Sequence, residues 1–534
     1  MNLVSTAAQD TETLEPTTGP QGGGAQFWVA FAVLTVTYAV AAFLEGHKFV
    51  WFDELCTFYI ARAPSLTTLW HWTLKYDNNP PTVYLLARLS MKIFGPGALG
   101  LRLPSILEFY AGSMGMLLYL RRKVGTPIAV FGVAMLWASG TFYYAIEARV
   151  YALVFMSFSF LLLSWDTATR SQSRKLALFG VAASNAVLLS AHVFAPLCLY
   201  PFLAAEVVRY LRRRKPDYPL YAALVLPMAI MALYIPLILV YRGLMFWPTY
   251  RASLHRAGDF YFVAWDWVAR PLCVILLLAI VWPRLRPDRN KGSQFVPEDW
   301  AVFLCIMINP LLLNLVLMTR HASFFDRYTI STYGVIYGGL AVLIGLRLQF
   351  RPAMAYAAAL IMLFVLVRYA HRNWVARPRS DDQVGLATLR PDLPIVAGDG
   401  MTFIEMSYHE PLDVLRRLYY IKNRAAAIQY EHSNYFYDFE APDDMQRAGF
   451  PISGTVEPYS EFVASHPRFL IYADPWEWLP RKLQDDGATF TLLRDFAGEN
   501  FSEPGTISFP NPAVSTGTPY LETHIFLVTM PPKK

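Results

Sequence analysis

The chain has 534 residues, of which 55% are hydrophobic and only 16% are charged, and its mean hydropathy is +0.31. Soluble domains carry about 25% charged residues, so this deficit predicts a membrane protein rather than an ordinary soluble one. The formal net charge of +6 does not indicate nucleic-acid binding, because the basic residues cluster in short segments between apolar runs. The four cysteines have neither CxxC nor Cys/His spacing, so neither a disulfide framework nor a zinc knuckle is indicated.

The N-terminal segment 1–25 contains no Lys or Arg and is rich in Thr, Gly and Pro. It lacks the basic start of a signal peptide, so we expect a disordered cytoplasmic tail. Apolar runs that approach the length needed to cross about 30 Å of hydrocarbon follow within residues 26–371. They lie at 26–46, 100–120, 127–145, 150–165, 176–191, 193–211, 219–240, 267–283, 300–318, 328–346 and 353–370, which predicts about eleven transmembrane helices.

Basic clusters mark alternate loops between these runs, at 121–123, 170–175, 209–215, 284–291 and 347–351. Cytoplasmic loops carry an excess of Lys and Arg, so we expect these five loops to face the cytoplasm. The intervening turns would then lie on the outer side of the membrane.

Residues 78–95 are apolar enough to form a further span, but they carry a Pro-Pro pair near their start, at positions 80 and 81, and contain Arg88 and Lys92. A crossing at this point would reverse every later loop and place the basic clusters outside. We therefore expect a helix that lies along the outer surface, within one large outer loop at 47–98.

The sequence becomes polar after residue 371, and 372–534 has the character of a soluble domain on the periplasmic side. The segments "LPIVAGDG" and "RFLIYAD" are short apolar runs that end in small or acidic residues, as buried parallel strands do. The predicted fold class is therefore a polytopic α-helical membrane protein with a C-terminal soluble α/β domain.

Ionisable residues from several separate turns fall at the predicted outer level of the membrane. Such residues usually face a cavity or each other. Carboxylates and arginines on one cavity suit a substrate that has an anionic group and a hydroxyl to be activated. The residues at this level are Asp53, Glu54, Glu147, Arg149, His192, Arg320, His321, Asp326 and Arg327.

Each of these residues also has a structural interpretation. Asp53 is a preferred type of N-cap for the helix "ELCTFYIA", and Glu54 in its first turn would be favoured by the helix dipole. Glu147 and Arg149 could belong to structural ion pairs, and His192 could be a satisfied interface histidine.

Several motifs occur in an order that matches a known group of enzymes. They are "WFDE" in the first outer loop, "NNPPTVYLLARLSMKIFG", "LGLRLPSIL", "EARVYAL" and "FFDRYTI". Together they resemble the bacterial membrane glycosyltransferases of the GT-C fold, a group that includes the lipid A aminoarabinose transferase, the protein O-mannosyltransferases and the rhizobial lipopolysaccharide glycosyltransferases. The resemblance covers roughly residues 26–370 and is strongest over 50–165.

The resemblance implies an inverting transferase of the bacterial inner membrane. It would move a sugar from a polyprenyl-phosphate donor to a lipid, glycan or protein acceptor. Asp53 matches the catalytic aspartate of the first outer loop and Glu147 matches the second acid of the family, while Arg149 and Arg327 match ligands for the donor phosphate. The other expected substrate-binding residues are Glu54, Asn79, Tyr151, His192, Arg320 and Tyr328.

The sequence does not decide whether a divalent cation is bound, and no other cofactor is implied. Relatives often carry His or Glu where Asn79 stands here, and a neutral amide is a poorer metal ligand. Membrane lipids are expected partners. The main alternative function is a transporter or flippase of lipid-linked saccharides. Transporters often show internal repeats, and none of fixed period is evident here, which favours an enzyme.

Overall fold

The computed structural model describes residues 24–77, 79–170, 174–240, 251–281, 294–320, 322–347, 351–376, 385–431, 441–473, 477–495 and 524–532. A helical bundle occupies the chain up to residue 376, and a sheet with flanking helices follows it. The predicted tail at 1–25 lies almost entirely outside the described residues.

Several of the described segments between the helices of the bundle are in 3₁₀ conformation. These 3₁₀ segments include Gly140–Phe142, Leu226–Tyr234 and Asp326–Thr329. In chain order the helices are α1 (Gly24–Glu45), α2 (Phe52–Ala61), α3 (Leu66–Tyr76), α4 (Thr82–Phe94), α5 (Ala98–Val124), α6 (Thr126–Ala138), α7 (Tyr143–Ile146), α8 (Tyr151–Arg170), α9 (Lys175–Ala191), α10 (Pro196–Arg213), α11 (Tyr218–Val225), α12 (Ile235–Val240), α13 (Leu254–Val281), α14 (Pro297–Met318), α15 (Ile330–Arg347) and α16 (Pro352–Ala376).

Eight helical stretches within the described ranges are long and apolar enough to cross a membrane. A ninth arises if α6 and the segment that ends with α7 count as one span, bent by 71°. In its described residues each of the eleven predicted runs is mainly helical, but the count of eleven spans is not confirmed. The helix α9 has only 17 residues, and α10 carries four charged residues in its second half: Glu206, Arg209, Arg212 and Arg213. The eight stretches are Gly24–Glu45, Ala98–Val124, Tyr151–Arg170, Tyr218–Leu237, Leu254–Leu278, Pro297–Met318, Asp326–Gly345 and Pro352–Val375.

The described part of the segment 47–98 forms three short helices, α2, α3 and α4. The longest, α4, has 13 residues, which is about 20 Å of helix and too short to cross the hydrocarbon core. The segment ends where Gly97 precedes α5.

The long helix α5 is held at both ends by buried ion pairs. Near its start Arg102 pairs with Glu54, and both side chains are fully buried. Near its end the buried Lys123 places its Nζ 2.7 Å from Asp166 and 2.6 Å from Asp299. Gly125 then turns the chain with a φ of +84°, a conformation that glycine adopts without strain, and α6 begins.

Six strands of the described C-terminal residues form one sheet in the order β3-β2-β1-β4-β6-β5. The first four strands pair in parallel, and β6 runs antiparallel between β4 and β5. The two strands predicted from the sequence are β1 and β4, which pair with each other in parallel, as predicted. The elements are β1 (Ile395–Ala397), α17 (Gly400–His409), α18 (Leu412–Leu415), β2 (Leu418–Lys422), α19 (Arg424–Glu431), α20 (Ala441–Arg447), β3 (Thr455–Pro458), α21 (Tyr459–Ser465), β4 (Arg468–Ala473), α22 (Trp478–Asp485), β5 (Thr489–Asp495) and β6 (His524–Thr529).

The sheet domain packs on the short helices of the segment 47–98. The ring of Phe450 stacks on Trp72 of α3 with centroids 3.7 Å apart. The hydroxyl of Tyr76 donates to the Asp444 carboxylate at 3.2 Å. The C-terminal domain is therefore attached to the segment that carries Asp53 as well as to the end of α16.

Candidate active site

Asp53 forms an ion pair with Arg327, a residue from a distant part of the chain. The helix α2 begins at Phe52, and Trp51 occupies the N-cap position, so Asp53 is a helical residue rather than the cap. Its Oδ2 lies 3.0 Å from Nη1 of Arg327, and the two side chains remain 15% and 20% exposed. The pair is therefore only partly exposed, and the contacting Oδ2 of Asp53 is itself buried.

Glu147 is the second predicted acid, and it lies in the turn between α7 and α8. Its side chain is fully buried, and neither carboxylate oxygen has a hydrogen-bond partner among the described residues. Burial raises the pKa of Glu147 to about 8; the Arg327 guanidinium opposes this rise and Asp53 adds to it. At neutral pH Glu147 is therefore mostly a neutral acid that has a proton to donate.

Aromatic rings surround the guanidinium of Arg327. Its central carbon lies 4.7 Å from the ring centroid of Phe325, 5.7 Å from that of Trp51 and 5.8 Å from that of Tyr151. Ring faces attract a cation and exclude water from it. The predicted substrate-binding residue Tyr151 thus belongs to the wall around Arg327.

The neighbouring Asp326 fixes the 3₁₀ segment that presents Arg327. Its carboxylate accepts hydrogen bonds from the hydroxyl of Tyr144 at 3.3 Å and from that of Tyr333 at 3.0 Å. It also accepts one from the backbone N–H of Arg327 at 2.9 Å. Asp326 is therefore occupied in positioning the arginine that follows it.

Arg149 is neutralised by Asp77, a residue that the sequence did not point to. Its Nη1 lies 2.5 Å from Asp77 Oδ2, and the same nitrogen donates to the backbone carbonyl of Asp53 at 3.1 Å. The amide of Asn79 donates to Asp77 Oδ1 at 2.9 Å. Arg149 thus joins the end of α3 to the start of α2, and Asn79 orients its counter-ion.

Glu54 forms a closed ion pair beneath Asp53. Its two oxygens lie 2.7 Å from Nε and 2.5 Å from Nη2 of Arg102, and the N–H of Ala148 donates to one of them at 2.9 Å. The rest of the Arg102 guanidinium donates to the backbone carbonyls of Gly46, Lys48 and Phe49. A buried ion pair is tolerated when its remaining hydrogen-bonding groups are satisfied, as they are here. The predicted contact between Glu54 and substrate would require this pair to open.

His192 and Tyr328 form an aromatic group next to the ion pair. Their ring centroids are 5.4 Å apart, and His192 Nδ1 accepts a hydrogen bond from the N–H of Phe194 at 3.0 Å. Burial, and after it the Arg149 guanidinium, lower the pKa of His192 to about 3, so the ring is neutral. Arg320 is exposed, and no contact joins its side chain to these residues within the described chain. His321 lies outside the described residues.

Comparison with known proteins identifies this arrangement of helices and sheet. No protein-family model matches the sequence, and no curated protein is significantly similar to it. The solved structure of ArnT from Cupriavidus metallidurans in the apo state is similar to the chain, with a TM-score of 0.54 and 14% identity. The same protein bound to undecaprenyl phosphate gives a TM-score of 0.51 and 14% identity. Both comparisons cover 95% of this chain and 98% of that chain.

The chain has the ArnT fold. Because the match extends over nearly the whole chain, it includes the sheet domain as well as the helical bundle. The predicted fold class, a helical membrane bundle with a C-terminal α/β domain, is confirmed, and so is the predicted resemblance to the group that contains the lipid A aminoarabinose transferase.

In this ArnT fold a lysine lies close to the predicted acids, and sequence reasoning missed it. Lys48 follows α1, and its Nζ lies 3.4 Å from the ring centroid of Tyr143. The ammonium is buried, and no hydrogen-bond acceptor for it is found in the described part of the chain. Burial lowers the pKa of Lys48 to about 8, and Glu54 opposes the shift. A lysine at the end of an apolar run normally predicts a side chain that extends to the membrane surface, so the sequence did not indicate that Lys48 is buried near the acids.

No three side chains of His, Cys, Asp or Glu among the described residues are grouped so that they could hold a metal ion. The amide of Asn79, which the sequence suggested as a poor metal ligand, donates its hydrogen bond to Asp77.

Proposed function

We propose that the chain is an inverting glycosyltransferase that moves a sugar from a polyprenyl-phosphate-linked donor to a lipid, glycan or protein acceptor. The observation that carries the proposal is the meeting of Asp53, Arg327 and the neutral Glu147 at one end of an apolar bundle with the ArnT fold. ArnT itself has been solved with undecaprenyl phosphate bound.

The reaction needs a base and an anion site. A glycosyl phosphate already has a good leaving group, so no acid has to protonate the departing oxygen, unlike in glycoside hydrolysis. Asp53 takes the proton of the acceptor hydroxyl or amine while that group attacks the anomeric carbon. The bond from the anomeric carbon to the phosphate oxygen breaks, its electron pair goes to that oxygen, and polyprenyl phosphate leaves. Attack from the opposite face inverts the anomeric carbon.

Arg327 is the proposed principal ligand of the donor phosphate. Arg327 is paired with Asp53 at 3.0 Å, so the base and the anion site neutralise each other. The donor phosphate competes for the guanidinium, and its binding leaves Asp53 without its counter-ion. Donor binding therefore prepares Asp53 to accept the proton, and the donor binds first.

Glu147 and Arg149 support this exchange in different ways. A neutral Glu147 donates a hydrogen bond to a phosphate oxygen or to a sugar hydroxyl, whereas a charged one would repel the phosphate. Arg149 is already neutralised by Asp77 and holds the backbone carbonyl of Asp53, so its proposed role is to position the base. This differs from the phosphate contact expected from the sequence.

The proposed location is the bacterial inner membrane, with the site and the C-terminal domain on the periplasmic side. The apolar helices would keep the polyprenyl tail in lipid while the reacting groups meet at the membrane boundary. The orientation follows from the five basic loops, which belong on the cytoplasmic side.

The test is a mass-spectrometric comparison of lipids and glycans from cells that express the wild type, the Asp53→Asn variant or neither. The wild type alone is expected to add the mass of one sugar to an acceptor. The added mass identifies the sugar, and the modified molecule identifies the acceptor. A sugar mass gained equally with Asp53→Asn contradicts the mechanism. Movement of an unmodified lipid-linked saccharide across vesicle membranes by both proteins, without any mass gain, would instead indicate the flippase.

A further inference from the structure

We propose that the C-terminal domain positions the active site, because α17 holds the backbone on the N-terminal side of Asp53 through Glu405 and His409. This inference rests on the proposed function, in which Asp53 is the base. It gives the sheet domain a role in catalysis that lies outside the reacting groups themselves.

Glu405 caps the helix that carries Asp53. The first N–H groups of a helix have no partner within the helix, and a side-chain oxygen from the N-cap residue usually satisfies one of them. The N-cap residue of α2 is Trp51, which has no oxygen to offer. Oε1 of Glu405 instead accepts a hydrogen bond from the N–H of Phe52 at 2.7 Å, and Glu405 is only 8% exposed. The cap therefore comes from the other domain.

His409, one turn further along α17, holds the residues that precede the helix. Its Nε2 lies 2.7 Å from the backbone carbonyl of Val50, and its ring stacks on Phe49 with centroids 3.8 Å apart. Burial lowers the pKa of His409 to about 4, so the ring is neutral, and contact with a carbonyl requires the proton on Nε2. Glu405 and His409 thus hold two backbone groups within three residues of Asp53.

Two arginines of the membrane domain also bind the backbone of the same segment. Arg102 binds the carbonyls of Gly46, Lys48 and Phe49, and Arg149 binds the carbonyl of Asp53 itself. Along the chain, the contacts to Val50 and Phe52 lie between those made by Arg102 and that made by Arg149. Without α17, the turn that leads into Asp53 would lose the two contacts that fix its middle.

The consequence is kinetic, because a base that is displaced by a fraction of an ångström still allows donor binding but reacts slowly. Misplacement of about 1 Å can reduce a rate by about a hundredfold. We therefore expect Glu405→Ala to lower the sugar mass gained in cells at least about tenfold, while the affinity of the purified protein for undecaprenyl phosphate stays within about twofold. Glu405→Gln keeps an acceptor oxygen at the same place and should restore most of the product.

Hydrogen–deuterium exchange of the full-length protein provides a readout that does not depend on any transferase activity. In Glu405→Ala, the amides of residues 50–54 should exchange faster than in the wild type, while those of β1 and β4 keep their protection. Asp413→Ala is the matched control, since Asp413 is an exposed acid on α18 of the same domain. It should change neither exchange nor product.

The outcomes separate this inference from the proposed function. If the wild type transfers no sugar, the proposed function fails, and faster exchange at 50–54 in Glu405→Ala still supports the contact between the domains. Wild-type exchange and wild-type product in Glu405→Ala overturn the inference. If Glu405→Ala also loses protection in β1 and β4, the substitution has destabilised the whole sheet domain, and His409→Phe is used as the test instead. This variant keeps the stacking on Phe49 but loses the hydrogen-bond donor to Val50. Wild-type exchange and product in that variant would overturn the inference equally.

Discussion

At the scale of single residues, Glu147 has an unusual environment, because a carboxyl group is buried without a hydrogen-bond partner among the described residues. Burial of such a group disfavours its charged form and destabilises the fold whenever the group must ionise. A protein retains this kind of strain where the group has a task, and the task proposed for Glu147 is to donate a hydrogen bond to the substrate.

The stability of the protein should depend on pH through Glu147. Because its pKa in the folded state is raised from 4.5 to about 8, the folded chain keeps a proton that the unfolded chain releases. Stability is therefore lost as the pH rises from about 4.5 to about 8. Glu147→Gln cannot ionise. The difference between its thermal unfolding temperature and that of the wild type should therefore shift in favour of the variant as the pH rises from about 4.5 to about 8. Circular dichroism of the detergent-solubilised proteins measures the difference, and an offset that is constant with pH contradicts the prediction.

The ion pair between Asp53 and Arg327 predicts opposite effects on binding and on transfer. Asp53→Asn removes the counter-ion of Arg327, so undecaprenyl phosphate should bind several-fold more tightly, on the order of 1 kcal/mol, while transfer is abolished. Arg327→Ala should lose most of the binding. Titration of the purified variants with undecaprenyl phosphate measures both effects. Weaker binding in Asp53→Asn would show that the two side chains do not compete.

The comparison of Arg327 with Arg320 tests which arginine binds the phosphate. The sequence predicted both as substrate-binding residues, since both lie in the predicted outer turn between the apolar runs 300–318 and 328–346. The structure places Arg320 on the surface, without a contact to the site in the described residues. Arg320→Ala is therefore expected to bind undecaprenyl phosphate as the wild type does, and a loss equal to that of Arg327→Ala would contradict this placement.

At the scale of elements, α2 shows why adjacent acids have different environments. Successive residues of an α-helix point about 100° apart. Asp53 thus faces Arg327, while Glu54 faces Arg102 and the interior. The sequence predicted both acids at the outer level of the membrane but could not divide them between the site and the scaffold.

The pair of Glu54 and Arg102 should dominate the stability of this region. Arg102→Met leaves a buried carboxylate without its counter-ion, which costs about 3–5 kcal/mol. The double variant with Glu54→Leu removes the uncompensated charge and should recover part of the loss. Recovery stays incomplete because three backbone carbonyls also lose their donor. Thermal unfolding of the three proteins measures the difference, and equal stability of single and double variants contradicts it.

Run length and turn position together predicted the helices. They also predicted that Asp53, Glu147 and Arg327 lie at one level of the membrane. They could not predict Asp77, Lys48 or Glu405. The first two depend on how three short helices fold back over the bundle, and the third on which face of α17 meets α2. These contacts join residues far apart in the chain and leave no periodic signal. Run length also does not reveal how the charges at the end of a run are paired, as in α10, where Arg209 pairs with Glu206.

At the scale of the whole molecule, the C-terminal domain and the bundle meet on the segment 47–98. The stacking of Phe450 on Trp72 and the bond from Tyr76 to Asp444 place this contact on α3, while α17 contacts α2. Both domains therefore contribute to one boundary around Asp53.

The orientation proposed for the molecule can be tested by labelling single cysteines in intact cells. With Cys273 and Cys305 replaced by Ser, Asp413→Cys on the sheet domain should react with an impermeant maleimide from outside. Arg214→Cys, in the basic loop after α10, should react only after permeabilisation. The reverse pattern would place the site on the cytoplasmic side.

The buried ion pairs of Arg102 and Lys123 at the two ends of α5 give the protein a fixed hydrophobic height. The helix between these residues is about 32 Å long, close to the thickness of a bilayer core. Neither cation can move with the lipid boundary unless it abandons a buried carboxylate. In membranes of shorter or longer acyl chains the lipid, rather than this helix, has to deform. Turnover in proteoliposomes should therefore be greatest at one acyl-chain length and fall on either side of it.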